Sequence, residues 1–207
     1  MKDSTGSKFK EFKIVAIYGS PRKTGNTSLL LDRFLEGAAS ACKSSEKDIK
    51  IKKIIVRDLN ISPCRECCNC SKTGECIIKD DMQRVYKELI EADFLAVASP
   101  VFFTTVSGYL KALIDRCQRF WTLKYEHKKR IITKKRKGIF ISTAGSGSKD
   151  IFNCPQKVIC SLFDVLYVDY LRDFVFNNVD SRGDILKNKK AMEDIYRFGR
   201  EIAFLSQ

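Results

Sequence analysis

The feature that most constrains the fold of this chain is an alternation between short apolar segments and longer amphipathic ones. Five segments dominated by β-branched, aromatic and other apolar residues predict strands; their ranges are 12–18, 49–56, 93–98, 138–142 and 167–176. Apolar side chains recur every three or four residues in the segments between and after them, which predicts helices; these span 27–41, 82–90, 107–123, 156–165 and 184–204. Strands that alternate with helices form a parallel sheet covered by helices on both faces.

Length and composition fit one ordinary domain. The 207 residues can bury a core of their own, and no internal repeat or long linker divides them, so we expect a single domain over residues 1–207. The opening MKDSTGSKFKEFK has no apolar run, and no window approaches the roughly 18 apolar residues of a membrane span. We therefore expect a cytoplasmic protein with no membrane partner.

The formal charge of +13 is concentrated in one segment, residues 124–137, which carries eight Lys and Arg side chains. A charge run without a nucleic-acid-binding motif is typical of a solvated surface segment, so nucleic acid is disfavoured as a partner. Such an excess of positive charge can also steer acidic partners toward the surface. His127, the only histidine, lies in this run, and we expect it to be solvated.

The segment 19–28, GSPRKTGNTS, joins the first predicted strand to the first predicted helix. It combines hydroxyls, the Arg22 guanidinium, Gly25 for close approach and the free amides of a helix start, which together predict an anion site. It is not a Walker A loop, because Asn26 follows Gly25 where that motif has lysine, and it has no GxGxxG pattern. Ligands of parallel sheets bind beyond the carboxyl ends of the strands, so we expect the loops after strands one, three and four to converge there.

Five cysteines occur between Pro63 and Cys76 in a cysteine-rich loop that spans residues 63–81. Cys64, Cys67, Cys70 and Cys76 have the spacing CxxCxxCx5C, and Cys68 is left over. Compact CxxCxxC runs with a fourth cysteine are typical of [4Fe–4S] ligands, whereas zinc more often takes two separated CxxC pairs. A loop without metal and a regulatory thiol stay open as alternatives, but a disulfide framework is disfavoured in a reducing compartment. The other four cysteines, Cys42, Cys117, Cys154 and Cys160, are expected to be small core residues.

Two motifs in this order resemble those of the flavodoxin-like NAD(P)H-dependent FMN reductases. GSPRKTGNTSLLL is similar to their phosphate loop, GSPRxxGNT, and SPVFF followed by LKALIDR is similar to their second signature. The cysteine loop running into IIKDDM resembles the iron–sulfur flavoprotein branch of that family. The resemblance implies a flavodoxin-like doubly wound α/β sandwich whose five-stranded parallel sheet has the order 2-1-3-4-5.

The resemblance also implies a role for each matching residue. The FMN phosphate would be held by Ser20, Arg22, Asn26, Thr27 and Ser28, with Gly25 allowing close approach. The isoalloxazine would be lined by Pro100, Val101, Phe102 and Phe103, and closed at its other edge by Ala144, Gly145 and Ser146. Phe102 departs from the tyrosine that is common in the family, so that hydroxyl is missing. The metal ligands would be Cys64, Cys67, Cys70 and Cys76.

By the same resemblance the chain is an FMN-dependent oxidoreductase, with FMN carrying the chemistry and no catalytic side chain. It would take electrons from NAD(P)H or a ferredoxin-like carrier, with or without a [4Fe–4S] cluster in the cysteine loop. The implied assembly is a homodimer or homotetramer. A non-catalytic electron-transfer flavoprotein or a thiol-based redox sensor is the alternative function, and a phosphotransferase is excluded by the missing loop lysine.

Overall fold

The computed structural model describes residues 11–42 and 48–202. Five strands form one sheet in the order β2-β1-β3-β4-β5, and every neighbouring pair is parallel. The strands are β1 (Phe12–Tyr18), β2 (Ile49–Ile55), β3 (Phe94–Pro100), β4 (Arg136–Thr143) and β5 (Val168–Phe176). The predicted parallel sheet and its implied strand order are confirmed.

Helices cover both faces of the sheet. The longer ones are α1 (Asn26–Cys42), α3 (Met82–Glu91), α4 (Gly108–Arg116), α6 (Asn153–Val165) and α7 (Lys189–Ile202). Two short helices, α2 (Asn69–Thr73) and α5 (Gln118–Trp121), lie in the connections, and a π-helical turn spans Thr122–Glu126. The last predicted helix begins later than expected, after a 3₁₀ turn at Asp184–Lys187, and its predicted end at 203–204 lies outside the described residues.

The side chains of the strands belong to two separate cores, because alternate side chains along a strand point to opposite faces of the sheet. Val15 and Ile17 pack with α3, α4 and α6, whereas Ile14 and Ala16 pack with α1 and α7. Helices α1 and α7 of the second core are in close backbone contact, because a Cβ added at Gly37 would stand only 2.1 Å from the carbonyl oxygen of Tyr196. Full burial of each large apolar side chain contributes about 1.5–3 kcal/mol, which makes these two cores the main stabilising element.

Strand β3 and the helix after it differ from the prediction. β3 continues past residue 98, where the strand was predicted to end, and includes Pro100. The sheet tolerates this proline because its missing amide would point toward β1, which has already ended at Tyr18. The predicted helix 107–123 is interrupted at Cys117. The Arg116 carbonyl accepts a 2.8 Å hydrogen bond from the Tyr86 hydroxyl, while the Phe120 amide bonds to the Cys117 carbonyl instead.

Three residue-level expectations are also wrong. Cys154 and Cys160 are exposed on α6 rather than buried in the core; only Cys117 is buried, and the side chain of Cys42 is not described. Arg136 belongs to the basic segment but is 1% exposed, because it opens β4 and donates to the Leu89 and Ala92 carbonyls at the end of α3.

In the part of the chain that the structure describes, no helix is both long and apolar enough to cross a bilayer.

Candidate functional site

Three buried serines join the strand ends at the carboxyl edge of the sheet. The Ser107 hydroxyl, which caps α4 by accepting from the Leu110 amide at 3.2 Å, donates to the carbonyl of Gly19 at the end of β1. The Ser99 hydroxyl accepts from the Ser107 amide at 3.0 Å, and the Ser99 carbonyl accepts from the Ser142 hydroxyl at 2.8 Å. These bonds fix the ends of β1, β3 and β4 to one another, so the loops that leave them are held together.

A pocket lies between these loops, as expected. Nine of the thirteen residues predicted to bind the cofactor line it: Ser20, Arg22, Gly25, Asn26, Thr27, Pro100, Val101, Phe102 and Gly145. Three further lining residues, Thr143, Val179 and Asp180, were not predicted. Thr143 ends β4, and the other two belong to the loop after β5, whose polar sequence NNVDSRG is the signal that could have indicated it.

The first loop presents unpaired donors to this pocket. The amides of the first turn of α1 have no intrahelical acceptor, and the side chain of Thr27, a buried residue that lines the pocket, bonds to no described residue. The lack of a side chain at Gly25 leaves room between this residue and Ser20, since a Cβ there would stand 2.9 Å from the Ser20 hydroxyl oxygen. Free amides, hydroxyls and the positive end of a 17-residue helix fit an anionic group such as the phosphate of FMN.

Asn26 joins the first loop to the loop after β5. Its amide nitrogen donates to the Ser181 carbonyl at 2.9 Å, and its amide oxygen accepts from the Ile185 backbone at 3.3 Å. Both ends of this side chain are therefore engaged in holding the loop after β5, while Asn26 also lines the pocket. Its contact with an FMN phosphate stays a prediction.

The segment after β3 forms a tight turn with an aromatic tip. The Phe102 and Thr105 backbones bond to each other at 2.9 and 3.1 Å, and Phe103 and Thr104 between them have φ angles of +46° and +61°. Phe103 is fully exposed and does not line the pocket, although Phe102 does. Left-handed conformations of residues with a Cβ are strained and concentrate at functional sites.

The remaining predicted residues lie around the pocket. Ser28 is buried in α1 behind the first loop. Ala144 is buried and bonded through its backbone to Phe176 and Val179, and Ser146 is exposed. The contacts of these residues and of Phe103 with a flavin stay predictions.

The cysteine loop covers a second cavity, of about 590 Å³, which shares no lining residue with the first pocket. All five cysteines of the loop line it: Cys64, Cys67, Cys68, Cys70 and Cys76. α4, α5, the π-helical turn and α6 form the opposite wall. Within residues 11–42 and 48–202, no three His, Cys, Asp or Glu side chains gather around one point as a single metal ion would require.

One buried ion pair holds both ends of the cysteine loop. Arg116 donates to the carbonyl of Ser62 at 2.9 Å and to that of Ile78 at 3.2 Å, and forms a two-pronged pair with Asp80 at 2.7 and 3.2 Å. The side chains are 0% and 5% exposed. Asp80 also accepts from the amides of Ser62 and Met82, and the second of these bonds caps the start of α3.

The charge state of this pair follows from its surroundings. Burial alone would raise the pKa of the Asp80 carboxyl, but the hydrogen bonds from Arg116 and from two backbone amides outweigh burial and hold that pKa below its ordinary value. Asp80 is therefore ionised at neutral pH and compensates the buried guanidinium. The loop between residues 62 and 78 is thus closed at its base.

The π-helical turn and the residue after it contact the cysteine loop through side-chain hydrogen bonds. The buried Thr122 hydroxyl donates to the Cys70 sulfur at 3.7 Å, and a ring nitrogen of His127 lies 2.7 Å from the Ser71 carbonyl oxygen. His127 is exposed, as expected, but it is not merely solvated. Arg119 donates to the Gly74 carbonyl at 2.9 Å. π-Helical turns frequently occur at functional sites, and this one places a hydroxyl on a predicted ligand sulfur.

A five-stranded parallel sheet of this order, with helices on both faces, defines the flavodoxin-like class of α/β proteins. The sequence model of the NADPH-dependent FMN reductases matches residues 12–153, which are more than half of the chain. The chain therefore belongs to the NADPH-dependent FMN reductase family.

Curated relatives agree with this assignment. The chain is 39% identical over 104 residues to an iron-sulfur flavoprotein of Methanocaldococcus jannaschii, covering 50% of this chain and 51% of that protein. It is 29% identical over 156 residues to an iron-sulfur flavoprotein of Methanosarcina thermophila, covering 75% and 73%. The chain spans about half the length of most curated relatives that it matches.

The solved structures support the fold alone. An NAD(P)H:quinone oxidoreductase from Methanothermobacter marburgensis is 16% identical with a TM-score of 0.65, and the match covers 93% of this chain and 99% of the other. An azoreductase from Bacillus anthracis is 12% identical with a TM-score of 0.67, covering 92% and 99%.

Proposed function

We propose that this protein is an FMN-dependent oxidoreductase that accepts electrons from NAD(P)H or from a small electron carrier. The observation that carries the proposal is the pocket at the carboxyl edge of the sheet, where unpaired donors of the α1 start face the apolar surface of Pro100, Val101 and Phe102. An anion site beside an apolar wall suits a phosphorylated aromatic cofactor. FMN, once bound there, supplies hydride and single-electron transfer.

The chain's own residues bind and orient the cofactor. The first-turn amides and the Thr27 hydroxyl would hold the phosphate, and the three linked serines keep the loops at fixed spacing. Phe102 excludes water from one side. We assign no side chain a proton-transfer role, since hydride transfer to a flavin requires no protein acid or base.

We further propose that the cysteine loop holds a [4Fe–4S] cluster through Cys64, Cys67, Cys70 and Cys76. The support is their CxxCxxCx5C spacing, the 590 Å³ cavity that they line and the closed base of the loop. The relatives named iron-sulfur flavoproteins agree with this proposal.

The flavin proposal is tested by turnover. Protein purified without oxygen and loaded with FMN should oxidise NADPH or NADH in the presence of a flavin or quinone acceptor. If it is reduced only by a ferredoxin-like carrier, it is an electron-transfer flavoprotein; if FMN does not bind at all, the oxidoreductase proposal is wrong.

The cluster proposal is tested by iron and acid-labile sulfide analysis of anaerobic protein. Serine replacement of any of the four ligands should lower the iron content sharply, whereas Cys68→Ser, the matched control in the same loop, should keep it. Equal iron loss in all five variants would contradict the ligand assignment, and iron-free wild-type protein would contradict the cluster.

The assembly stays a prediction. The family resemblance implies a homodimer or homotetramer, which light scattering of the purified protein measures. The cytoplasmic location expected from the sequence also stays a prediction.

A further inference from the structure

Thr122 is a buried polar residue whose hydroxyl faces the cysteine loop. It is 0% exposed, and it opens the π-helical turn Thr122–Glu126. Among the residues that the structure describes, its hydroxyl has one hydrogen-bond partner, the sulfur of Cys70 at 3.7 Å. Burial of a hydroxyl is costly unless the hydroxyl is hydrogen-bonded, so the positions of these two side chains are linked.

The backbone around Thr122 leaves its hydroxyl for the cysteine loop. A threonine hydroxyl inside a helix commonly bonds to a carbonyl three or four residues before it. Here the carbonyls at those positions, Arg119 and Gln118, accept from the Thr122 amide. The Thr122 carbonyl accepts from the His127 amide, five residues later, at 3.0 Å. The hydroxyl is therefore directed at Cys70 rather than at its own helix.

Two further side chains hold the residues after Cys70 against the same helical segment. Arg119 donates to the Gly74 carbonyl at 2.9 Å, and a ring nitrogen of His127 lies 2.7 Å from the Ser71 carbonyl oxygen. The Gly74 amide in turn donates to the Cys70 carbonyl at 2.8 Å. Because the backbone of Cys70 is fixed in this way, the distance between its sulfur and the hydroxyl is set by the fold rather than by the cysteine loop alone.

We propose that Thr122 is a positioning residue that raises the reduction potential of the proposed [4Fe–4S] cluster through its bond to Cys70. A thiol sulfur is a weak acceptor, whereas a metal-bound thiolate is negatively charged and accepts a stronger, charge-assisted hydrogen bond. One-electron reduction adds a negative charge to the cluster and its ligands, so the bond stabilises the reduced form more than the oxidised form. Hydrogen bonds to the sulfurs are among the determinants of such potentials. The inference rests on the proposed cluster.

The experiment measures the reduction potential of the cluster in anaerobically purified protein. Redox titration followed by EPR spectroscopy reports the reduced fraction, and bound flavin gives a second midpoint as an internal reference, since its pocket shares no lining residue with the cysteine cavity. The test variant is Thr122→Val, which removes the hydroxyl at nearly constant size, and Thr122→Ser keeps the hydroxyl. Ser161→Ala is the matched control, because Ser161 lines the same cavity but donates to the Lys157 carbonyl at 3.1 Å.

A hydrogen bond to a charged group contributes about one power of ten or more to an equilibrium constant, and only the part that differs between the two oxidation states moves the potential. Thr122→Val should therefore lower the equilibrium constant for cluster reduction about three- to tenfold, which is about 28–59 mV for a one-electron couple. The midpoint should return to the wild-type value in Thr122→Ser and should not change in Ser161→Ala. The flavin midpoint should be the same in all of these proteins.

The proposal is overturned if the cluster midpoint of Thr122→Val equals that of the wild type, or if Thr122→Ser or Ser161→Ala lowers it equally. Iron content is measured in the same samples. If Thr122→Val assembles no cluster, Thr122→Ala is titrated in its place, and iron-free protein from both also overturns the proposal, because the hydroxyl then serves assembly. Iron-free wild-type protein contradicts the cluster on which this inference rests, whereas a wild-type cluster whose potential is insensitive to Thr122 contradicts this inference alone.

Discussion

Replacing Asp80 by Asn should destabilise the protein strongly and also loosen the cysteine loop. The substitution keeps the size of the side chain but removes the charge that compensates the Arg116 guanidinium, which is fully buried and cannot reach water. Each Asp80 oxygen accepts two hydrogen bonds, so the amide nitrogen of Asn turns two of the four contacts into a donor facing a donor. Breaking a buried pair from one side costs about 3–5 kcal/mol, a large part of the roughly 5–15 kcal/mol that keeps a domain folded.

The pH dependence of this loss has a definite sign. Because the pKa of Asp80 is depressed in the folded state, its contribution is fully present above the unfolded pKa of about 4 and is lost as the pH falls through the folded pKa. The difference in unfolding free energy between wild type and Asp80→Asn should therefore be largest near neutral pH and shrink in acid.

Urea unfolding followed by circular dichroism at several pH values measures this difference. Asp169→Asn, at an exposed position on β5, is the matched control and should cost less than about 0.5 kcal/mol. The reasoning about the Arg116–Asp80 ion pair is refuted if Asp80→Asn is no less stable than the control at pH 7. It is also refuted if the difference in unfolding free energy between wild type and Asp80→Asn does not shrink on acidification.

Three further predictions concern the other contacts described above. Ser107→Ala removes the cap of α4 and the bond to Gly19, so it should lower the unfolding free energy by about 1–2 kcal/mol and weaken FMN binding, measured by thermal unfolding and flavin titration; unchanged values would contradict the linking role. Thr104→Gly relieves a φ of +61° and should raise the unfolding free energy by about 1 kcal/mol, whereas a loss would show that the turn is not strained. Burial raises the pKa of the Cys117 thiol to about 12, so iodoacetamide at pH 8 should label the exposed Cys154 and leave Cys117 unmodified in native protein, read out by peptide mass spectrometry; equal labelling would contradict the burial.

The sequence predicted the elements that depend on local pattern. The five strands and the main helices were recognisable because apolar periodicity follows directly from the two faces of a sheet and one face of a helix. The loop 19–28 was recognisable as an anion site because hydroxyls, glycine and a helix start lie next to one another along the chain. The family resemblance then supplied the strand order, which no local pattern contains.

The features that escaped prediction are those that join distant residues. The clamp of Arg116 on residues 62, 78 and 80 and the docking of the loop after β5 by Asn26 both connect segments that lie far apart in sequence. The break at Cys117 depends on the hydroxyl of Tyr86, 30 residues before Arg116. Side-chain hydrogen bonds of this kind follow from the folded geometry and leave no periodic trace.

The most direct test of the account is an equilibrium titration of flavin-free protein with FMN, followed by flavin fluorescence. The account predicts saturation at one FMN per chain, and it predicts that Gly25→Val abolishes binding, because a Cβ at that position already stands 2.9 Å from the Ser20 hydroxyl and fills the room between the two residues. Saturable binding that is lost in the variant would support the flavin site at the carboxyl edge of the sheet. Fluorescence that stays unquenched at every ratio of protein to FMN, or binding that Gly25→Val leaves unchanged, would contradict it.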